Sequence, residues 1–327
     1  MKPIGGFFEL ELSKCGSIYH DKAIKLSTGR ACLNYIVKVL KPVKVFLPYY
    51  CCNALYEPLE INEISYEFYK IDYNFEIIDL PTLKEDEAII YCDFFGLKQK
   101  YISNLLIEYT DKLIIDNTHS FFHKGYNNNN FSFTSARKYF GVPDGAFLYG
   151  PKHNTPVELI EKNVNVKLDH NLHRLLGMQE IGFSEYLDYE KSLGSQIEAI
   201  SIISERLLSA VDFENVKKIR SENFNFFKRE FQELNLINID NELDNGFCYP
   251  LLLNNPIDKS KLFKEKVYIP SLWIETTNRE NSSEYPIECK LSTEMLLLPI
   301  DHRYVLKDLE RVASLIKELL MIKNRDY

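Results

Sequence analysis

Near the middle of the chain Asp116 and Lys138 have the types and setting for covalent amine chemistry. A short apolar run, Leu113-Ile114-Ile115, delivers Asp116 and then His119. A polar loop with four consecutive asparagines, Asn127–Asn130, leads to a second strand-like run at Phe131–Phe133. Ser135-Ala136-Arg137-Lys138 follows, then a Pro143-Asp144-Gly145 turn and another apolar run, Ala146–Tyr149. An acid at the carboxyl end of a strand and a lysine further along suit a pyridoxal phosphate (PLP) site. The lysine would be the Schiff-base amine, and the acid would keep the pyridine nitrogen protonated so that the ring acts as an electron sink.

Each residue also has a plain structural reading. Most lysines are simply solvated, Asp-Asn-Thr suits a helix N-cap, and a loop histidine needs no role. The neighbours of Lys138 shift the balance. Ser132, Ser135 and Arg137 offer hydroxyl and guanidinium donors to a phosphate, and the Asp144-Gly145 turn allows close backbone approach. Burial raises a carboxyl pKa and a fixed opposite charge lowers it, so Asp116 paired with a pyridinium would stay ionised.

The elements that must position these groups read as strand, helix, strand, repeated. Ser27-Thr28-Gly29 opens a helix over Arg30–Leu40, with Ala31, Leu33, Ile36, Val37 and Leu40 at helical spacing. Its start is either a simple N-cap or a phosphate seat, because free N–H groups and the helix dipole point outward there. Val43–Leu47 reads as a buried strand stopped by Pro48, with Tyr49-Tyr50-Cys51-Cys52 at its end. Tyr50 there either stacks on a flat cofactor ring or belongs to the core. Alternation at Tyr66, Phe68, Tyr69 and Ile71 marks another strand, Ala88–Cys92 a continuous apolar one ending in Asp93, and Ile102–Tyr109 a helix. Such strands predict an α/β fold with a mostly parallel sheet covered on both faces and ligands beyond the strands' carboxyl ends. Tyr50, Asp93 and Asp116 all fall at such ends.

After Gly150, helices are expected at Pro156–Val164 and Asn171–Met178, and a long amphipathic stretch over Phe183–Val211. Glu214–Leu234 reads as a connecting helix. Strand-like runs at Phe247–Leu253, Val267–Pro270 and Leu296–Ile300 and a closing helix over Val305–Met321 complete a smaller α+β domain. The expected division is a large α/β domain at 1–211, with an N-terminal arm at 1–20, and a small domain at 212–327.

The 327 residues provide ample length for buried cores, and 45% hydrophobic with 26% charged residues is ordinary for a soluble globular protein. A net charge of −8 argues against nucleic acid or an anionic membrane as the main partner. The seven cysteines are scattered, with no CxxC pair and no zinc-site spacing, so no metal is expected and a reducing compartment is. The start, MKPIGGFFELEL, lacks the layout of a signal peptide, and no apolar segment has bilayer-spanning length. These features predict a cytoplasmic protein.

The same words resemble the DegT/StrS-type aminotransferases, PLP enzymes of fold type I that mostly act on nucleotide-linked keto-sugars. The likeness runs through GGFFELEL at 5–12, STGRACLNYI at 27–36, VFLPYYCCNAL at 45–55, LIIDNTHSFF at 113–122, SARKYFGVPDGAFLY at 135–149 and LLLPIDHRY at 296–304. Its specific part is Asp116-x-x-His119 followed by a serine, Lys138 and a Gly-containing turn. The resemblance implies that Lys138 bonds the cofactor and moves protons, Asp116 pairs with the pyridine nitrogen and His119 sits by the ring. Gly29, Arg30 and Ser135 or Ser132 would hold the phosphate. The sequence departs from the family at three points. Gly29-Arg30 replaces the usual Gly-Thr, Phe133 stands where a serine commonly precedes the lysine by five residues, and Val142-Pro143-Asp144-Gly145 replaces Gly-Glu-Gly-Gly.

The resemblance implies a transaminase that takes an amino group from glutamate and passes it to a keto-sugar for surface polysaccharide or related amino-sugar synthesis. A PLP-dependent dehydratase or lyase and a non-catalytic relative binding PLP or a sugar nucleotide are the alternatives. Retention of Lys138 weighs against the sugar dehydratases, and the altered phosphate turn favours the binder. The family's sites form at homodimer interfaces, so a homodimer is expected. Trp273, His302 and Arg303 are candidates to reach a site from the small domain or a partner, although His302 and Arg303 follow a Pro-Ile-Asp turn and are read first as structural.

Overall fold

The computed structural model describes Leu12 and residues 16–126, 129–151, 160, 161, 163, 166–239 and 246–323. Most of the expected arm at 1–20, half of the asparagine run and most of the expected helix at 156–164 lie outside these residues.

Seven strands form the main sheet: β1 (Ile24–Leu26), β2 (Lys44–Pro48), β3 (Ser65–Tyr69), β4 (Glu87–Cys92), β5 (Leu113–Asp116), β6 (Phe131–Ser135) and β7 (Ala146–Tyr149). Their order is β1-β7-β6-β5-β4-β2-β3, and every pair from β6 to β3 is parallel, while β7 runs antiparallel to both neighbours. The continuous apolar runs explain this arrangement. All six residues of β4 and all four of β5 are buried, as strands covered on both faces must be. Pro48 ends β2 as its last residue instead of standing beyond it.

Between β1 and β2 lies α1 (Gly29–Leu40), capped by Thr28, whose Oγ1 accepts from the Ala31 N–H at 3.0 Å. Residues 31–37 of α1 are all buried, so the helix is sealed from solvent instead of showing water one polar face. Its buried Asn34 donates to the Ser195 carbonyl at 2.6 Å and accepts from the Asn62 amide at 2.8 Å, which meets the polar cost of that position. Short α2 (Glu57–Ile61) packs against α1, and α3 (Gln99–Tyr109) covers the sheet between β4 and β5.

Beyond the sheet, α4 (Asp169–Leu175) and α5 (Gln179–Ser192) form a hairpin, then α6 (Ile202–Ser209) and α7 (Phe213–Phe231) follow. The stretch expected to be amphipathic over 183–211 is therefore broken at 193–201. A long-range acid explains the break. Buried Asp144 accepts from the Ser201 N–H at 2.8 Å, the Ser201 hydroxyl at 2.6 Å and the Ser204 hydroxyl, so the chain must restart as α6 at that point. A second, two-stranded antiparallel sheet pairs β8 (Tyr249–Leu251) with β9 (Leu296–Leu298). Around it stand α8 (Lys259–Lys264), α9 (Pro286–Glu294) and α10 (Leu306–Lys323). The run at 267–270, expected to be a strand, forms no strand and pairs with nothing in these sheets.

Candidate active site

Parallel register sets Cys92 of β4, Asp116 of β5 and Phe133 of β6 side by side at the carboxyl ends of their strands. The Asp116 carboxylate is 8% exposed. Its Oδ1 accepts from the Thr118 N–H at 2.8 Å, and the Cys92 thiol points at Oδ2 from 3.8 Å. Burial pushes the Asp116 carboxyl above its ordinary pKa, while the Thr118 hydrogen bonds and the Lys138 charge pull it back. A carboxylate in that balance is suited to a fixed cation.

Lys138 ends the single helical turn Ala136–Lys138 that follows β6. It is exposed, and no hydrogen bond or ion pair engages its Nζ among the described residues. The ammonium lies 5.9 Å from the centre of the Phe247 ring and acts electrostatically on Asp116, His119 and Cys52. An unpaired amine thus opens to solvent beside a buried carboxylate.

His119 is 3% exposed and lies parallel to three aromatic rings: Phe247 at 4.4 Å, Phe95 at 5.4 Å and Trp273 at 5.5 Å. Its carbonyl accepts from the Tyr139 hydroxyl at 2.6 Å, which ties the loop after Asp116 to the turn after Lys138. Burial, reinforced by the Lys138 charge, holds the imidazole pKa well below its ordinary value. Nε2 is buried with no partner among the described residues. A buried polar atom left this way marks a place meant for something else.

The start of α1 closes the fourth side. A Cβ placed at Gly29 would lie 3.5 Å from both the Phe133 ring and the Thr118 methyl, so the first turn of α1 abuts the ends of β5 and β6. Thr28 caps Ala31, and the N–H groups of Gly29 and Arg30 lead the helix. Arg30 donates through Nε to Glu57 Oε2 at 2.9 Å.

The structure thus gathers Asp116, His119, Lys138, Gly29 and Arg30. Ser135 joins them. It lies two residues after Phe133, so the alternation along β6 places it on the same face, and its hydroxyl bonds to no described residue. Ser132 does not join them: it faces the opposite side of the sheet, fully buried. Tyr50 is fully buried too, stacked on Phe94 at 5.9 Å with Trp273 edge-on at 4.5 Å, as a core residue would be. Trp273 reaches the site, whereas Arg303 turns onto Asp301 of its own loop through bonds of 2.7 and 3.1 Å. His302 lies 5.9 Å from Phe140. Sequence reasoning passed over three contributors. Phe247 stacks on His119, Glu57 holds Arg30, and half-buried Cys52 feels the charges of Lys138, Asp116 and Arg30. Only their tertiary placement reveals them.

No family model matches the sequence, and no curated protein matches it. Solved structures do resemble the fold. A DegT DnrJ EryC1 StrS aminotransferase from Brucella abortus is 16% identical with a TM-score of 0.63, and the match covers 92% of this chain and 88% of that one. The sugar aminotransferase CalS13 from Micromonospora echinospora is 12% identical over 92% and 88% of the two chains, with a TM-score of 0.62. Spr1654 from Streptococcus pneumoniae in its PLP form is 11% identical over 92% and 88%, with a TM-score of 0.66. At these identities the likeness shows the fold: a mostly parallel sheet between helices, the fold type I arrangement of PLP-dependent aminotransferases.

Proposed function

We propose that the protein is a PLP-dependent aminotransferase that moves an amino group from an amino acid to a keto-sugar.

 The donor we infer is glutamate, and the acceptor a nucleotide-linked keto-sugar on the way to surface polysaccharide or a related amino-sugar. The observation that carries this reading is the unpaired Lys138 amine beside the buried Asp116 carboxylate at the ends of β5 and β6. The fold shared with aminotransferases, two of them named for sugars or for the DegT/StrS group, supports it.

The residues present fit PLP. Asp116 offers Oδ2, which accepts only a long contact from the weakly donating Cys92 thiol among the described backbone and side-chain bonds, to a pyridinium nitrogen, Lys138 an unbonded amine to an aldehyde, and His119 an orphaned Nε2 to the ring's phenolic oxygen. Arg30, Ser135 and the first N–H groups of α1 offer donors to a phosphate. Bound there, PLP supplies a conjugated ring that takes up the electron pair left when a proton leaves the substrate carbon. Lys138 Nζ carries that proton, because it is the basic group that no other side chain holds. Asp116 keeps the pyridine nitrogen protonated through its charge. Phe247, Phe95 and Trp273 exclude water around His119 and fix its plane. We place the enzyme in the cytoplasm as a homodimer, with residues 1–211 forming the cofactor domain and 212–327 the small domain.

An absorption spectrum of the purified protein with added PLP, before and after glutamate, tests the reading beside Lys138→Ala. Wild type should form a near-visible band that glutamate removes, and Lys138→Ala should never form it. A wild type that binds no PLP would refute the enzyme reading.

A further inference from the structure

Arg30 is the second residue of α1, and its surroundings are built in a particular way. Its side chain is only 20% exposed and donates through Nε alone, to Glu57 Oε2 at 2.9 Å. The other Glu57 oxygen accepts from the Ser195 hydroxyl at 2.9 Å. Ser195 is buried, and its carbonyl accepts from Asn34 of α1 at 2.6 Å. The contacts close a ring: Arg30 and Asn34 on α1, Glu57 at the first position of α2, and Ser195 in the segment between α5 and α6. The two Nη groups of Arg30 bond to nothing among the described residues. Arg30 follows Gly29, which abuts Phe133 and Thr118 at the ends of β6 and β5, and its charge is felt at Cys52 together with those of Lys138 and Asp116, as it is at Tyr186 of α5.

We infer that Glu57 is a positioning residue that holds Arg30 so that its free Nη edge meets the cofactor's phosphate. This rests on the PLP reading above and deepens it. A carboxylate that merely competed with a phosphate would take the two-pronged Nη edge, which matches either anion. Here the carboxylate takes the single Nε proton, and its second oxygen is tied to Ser195. The geometry leaves the bidentate edge open and removes the rotamer freedom that an unheld arginine would lose on binding.

The two roles have opposite signs. A competing anion, once removed, leaves the phosphate bound more tightly. A positioning anion, once removed, leaves it bound more weakly. Apo-protein titrated with PLP and, separately, with pyridoxal, which lacks the phosphate, distinguishes them in wild type, Glu57→Ala and Glu57→Gln. Glu57→Ala should raise the Kd for PLP roughly five- to tenfold, the cost of ordering one long side chain, and leave pyridoxal unchanged. Glu57→Gln keeps an oxygen that can accept from Nε, so its PLP affinity should stay within about threefold of wild type. If Glu57→Ala does not fold, Glu57→Gln still decides, because a blocking anion predicts clear tightening there. PLP bound as tightly or more tightly by Glu57→Ala, or markedly more tightly by Glu57→Gln, overturns the positioning role. A wild type that binds neither PLP nor pyridoxal overturns the cofactor reading instead.

Discussion

His20 should make the fold acid-labile in a way that one substitution can isolate. The side chain is fully buried among the Phe121 and Phe147 rings, at 4.6 and 4.8 Å. Its Nε2 lies 2.6 Å from the Phe121 carbonyl, which can only accept, so Nε2 carries the proton. Nδ1 must then accept from the Tyr149 hydroxyl at 2.7 Å. The neutral ring is satisfied on both sides, and a second proton would reverse the Tyr149 bond and place a charge inside an apolar site. Burial accordingly lowers the His20 pKa from 6.5 to about 3, the Phe121 bond opposing it. A depressed folded pKa means that the unfolded chain binds the extra proton first. Stability is therefore complete above about pH 6.5 and drains away as pH falls towards 3. At 1.36 kcal/mol per pH unit, the fall from pH 7 to pH 5 costs about 2 kcal/mol through this group alone. Urea unfolding of wild type and His20→Phe at both pH values measures it. The variant is less stable at pH 7 but should lose about 2 kcal/mol less than wild type on acidification. The pKa values of His119, His123, His170 and His302 are also depressed, chiefly by burial, yet they titrate in both proteins and cancel in the comparison. Equal losses in the two proteins would refute the argument. Because Phe121 follows His119 by two residues, the same acidification should loosen the loop that carries Asp116.

Two further outcomes follow from other parts of the molecule. Asp144→Ala leaves the Ser201 and Ser204 hydroxyls, the Ser201 N–H and the Asn163 amide without their shared acceptor. It should cost about 3 kcal/mol or more in chemical denaturation, and a loss under about 1 kcal/mol would show that the break before α6 has another cause. The α4–α5 hairpin exposes Leu175 by 83%, Leu176 by 71% and Phe183 by 61%, an apolar surface larger than scattered single residues. If the expected homodimer uses it, Leu175→Asp with Phe183→Asp should convert dimer to monomer in light scattering without lowering monomer stability. A dimer that survives both changes places the interface elsewhere.

The central strands β2, β4, β5 and β6 were legible because they are buried on both faces. Runs such as Ala88–Cys92 and Leu113–Ile115 have no polar alternation to confuse with a helix, and their carboxyl ends marked Asp93 and Asp116 as they stand. What was not legible depends on contacts distant in sequence. The break at 193–201 is set by Asp144, some fifty residues earlier, and nothing local in the amphipathic pattern announces it. Glu57, Cys52 and Phe247 carry no motif, because each becomes relevant only when the sheet and α7 bring it beside Lys138 or Arg30.

The sequence left Ser132 and Ser135 as equal candidates, and the pleat puts them on opposite faces of β6. Phe133 shares a face with Asp116 and packs on Gly29, so Ser135 shares it too and Ser132 cannot. Phe133 also stands five residues before Lys138, where the resemblance to the DegT/StrS-type enzymes implies a serine. An aromatic ring there supplies no donor and narrows the space against Gly29. A phosphate seated at α1 must then be met by the helix's leading N–H groups, Ser135 and the Nη edge of Arg30. On the proposed PLP reading, Arg30 supplies the phosphate donor that Phe133 cannot. A Phe133→Ser variant should accordingly bring back PLP affinity that Arg30→Ala removes; if it does not, the two positions act on different ligands.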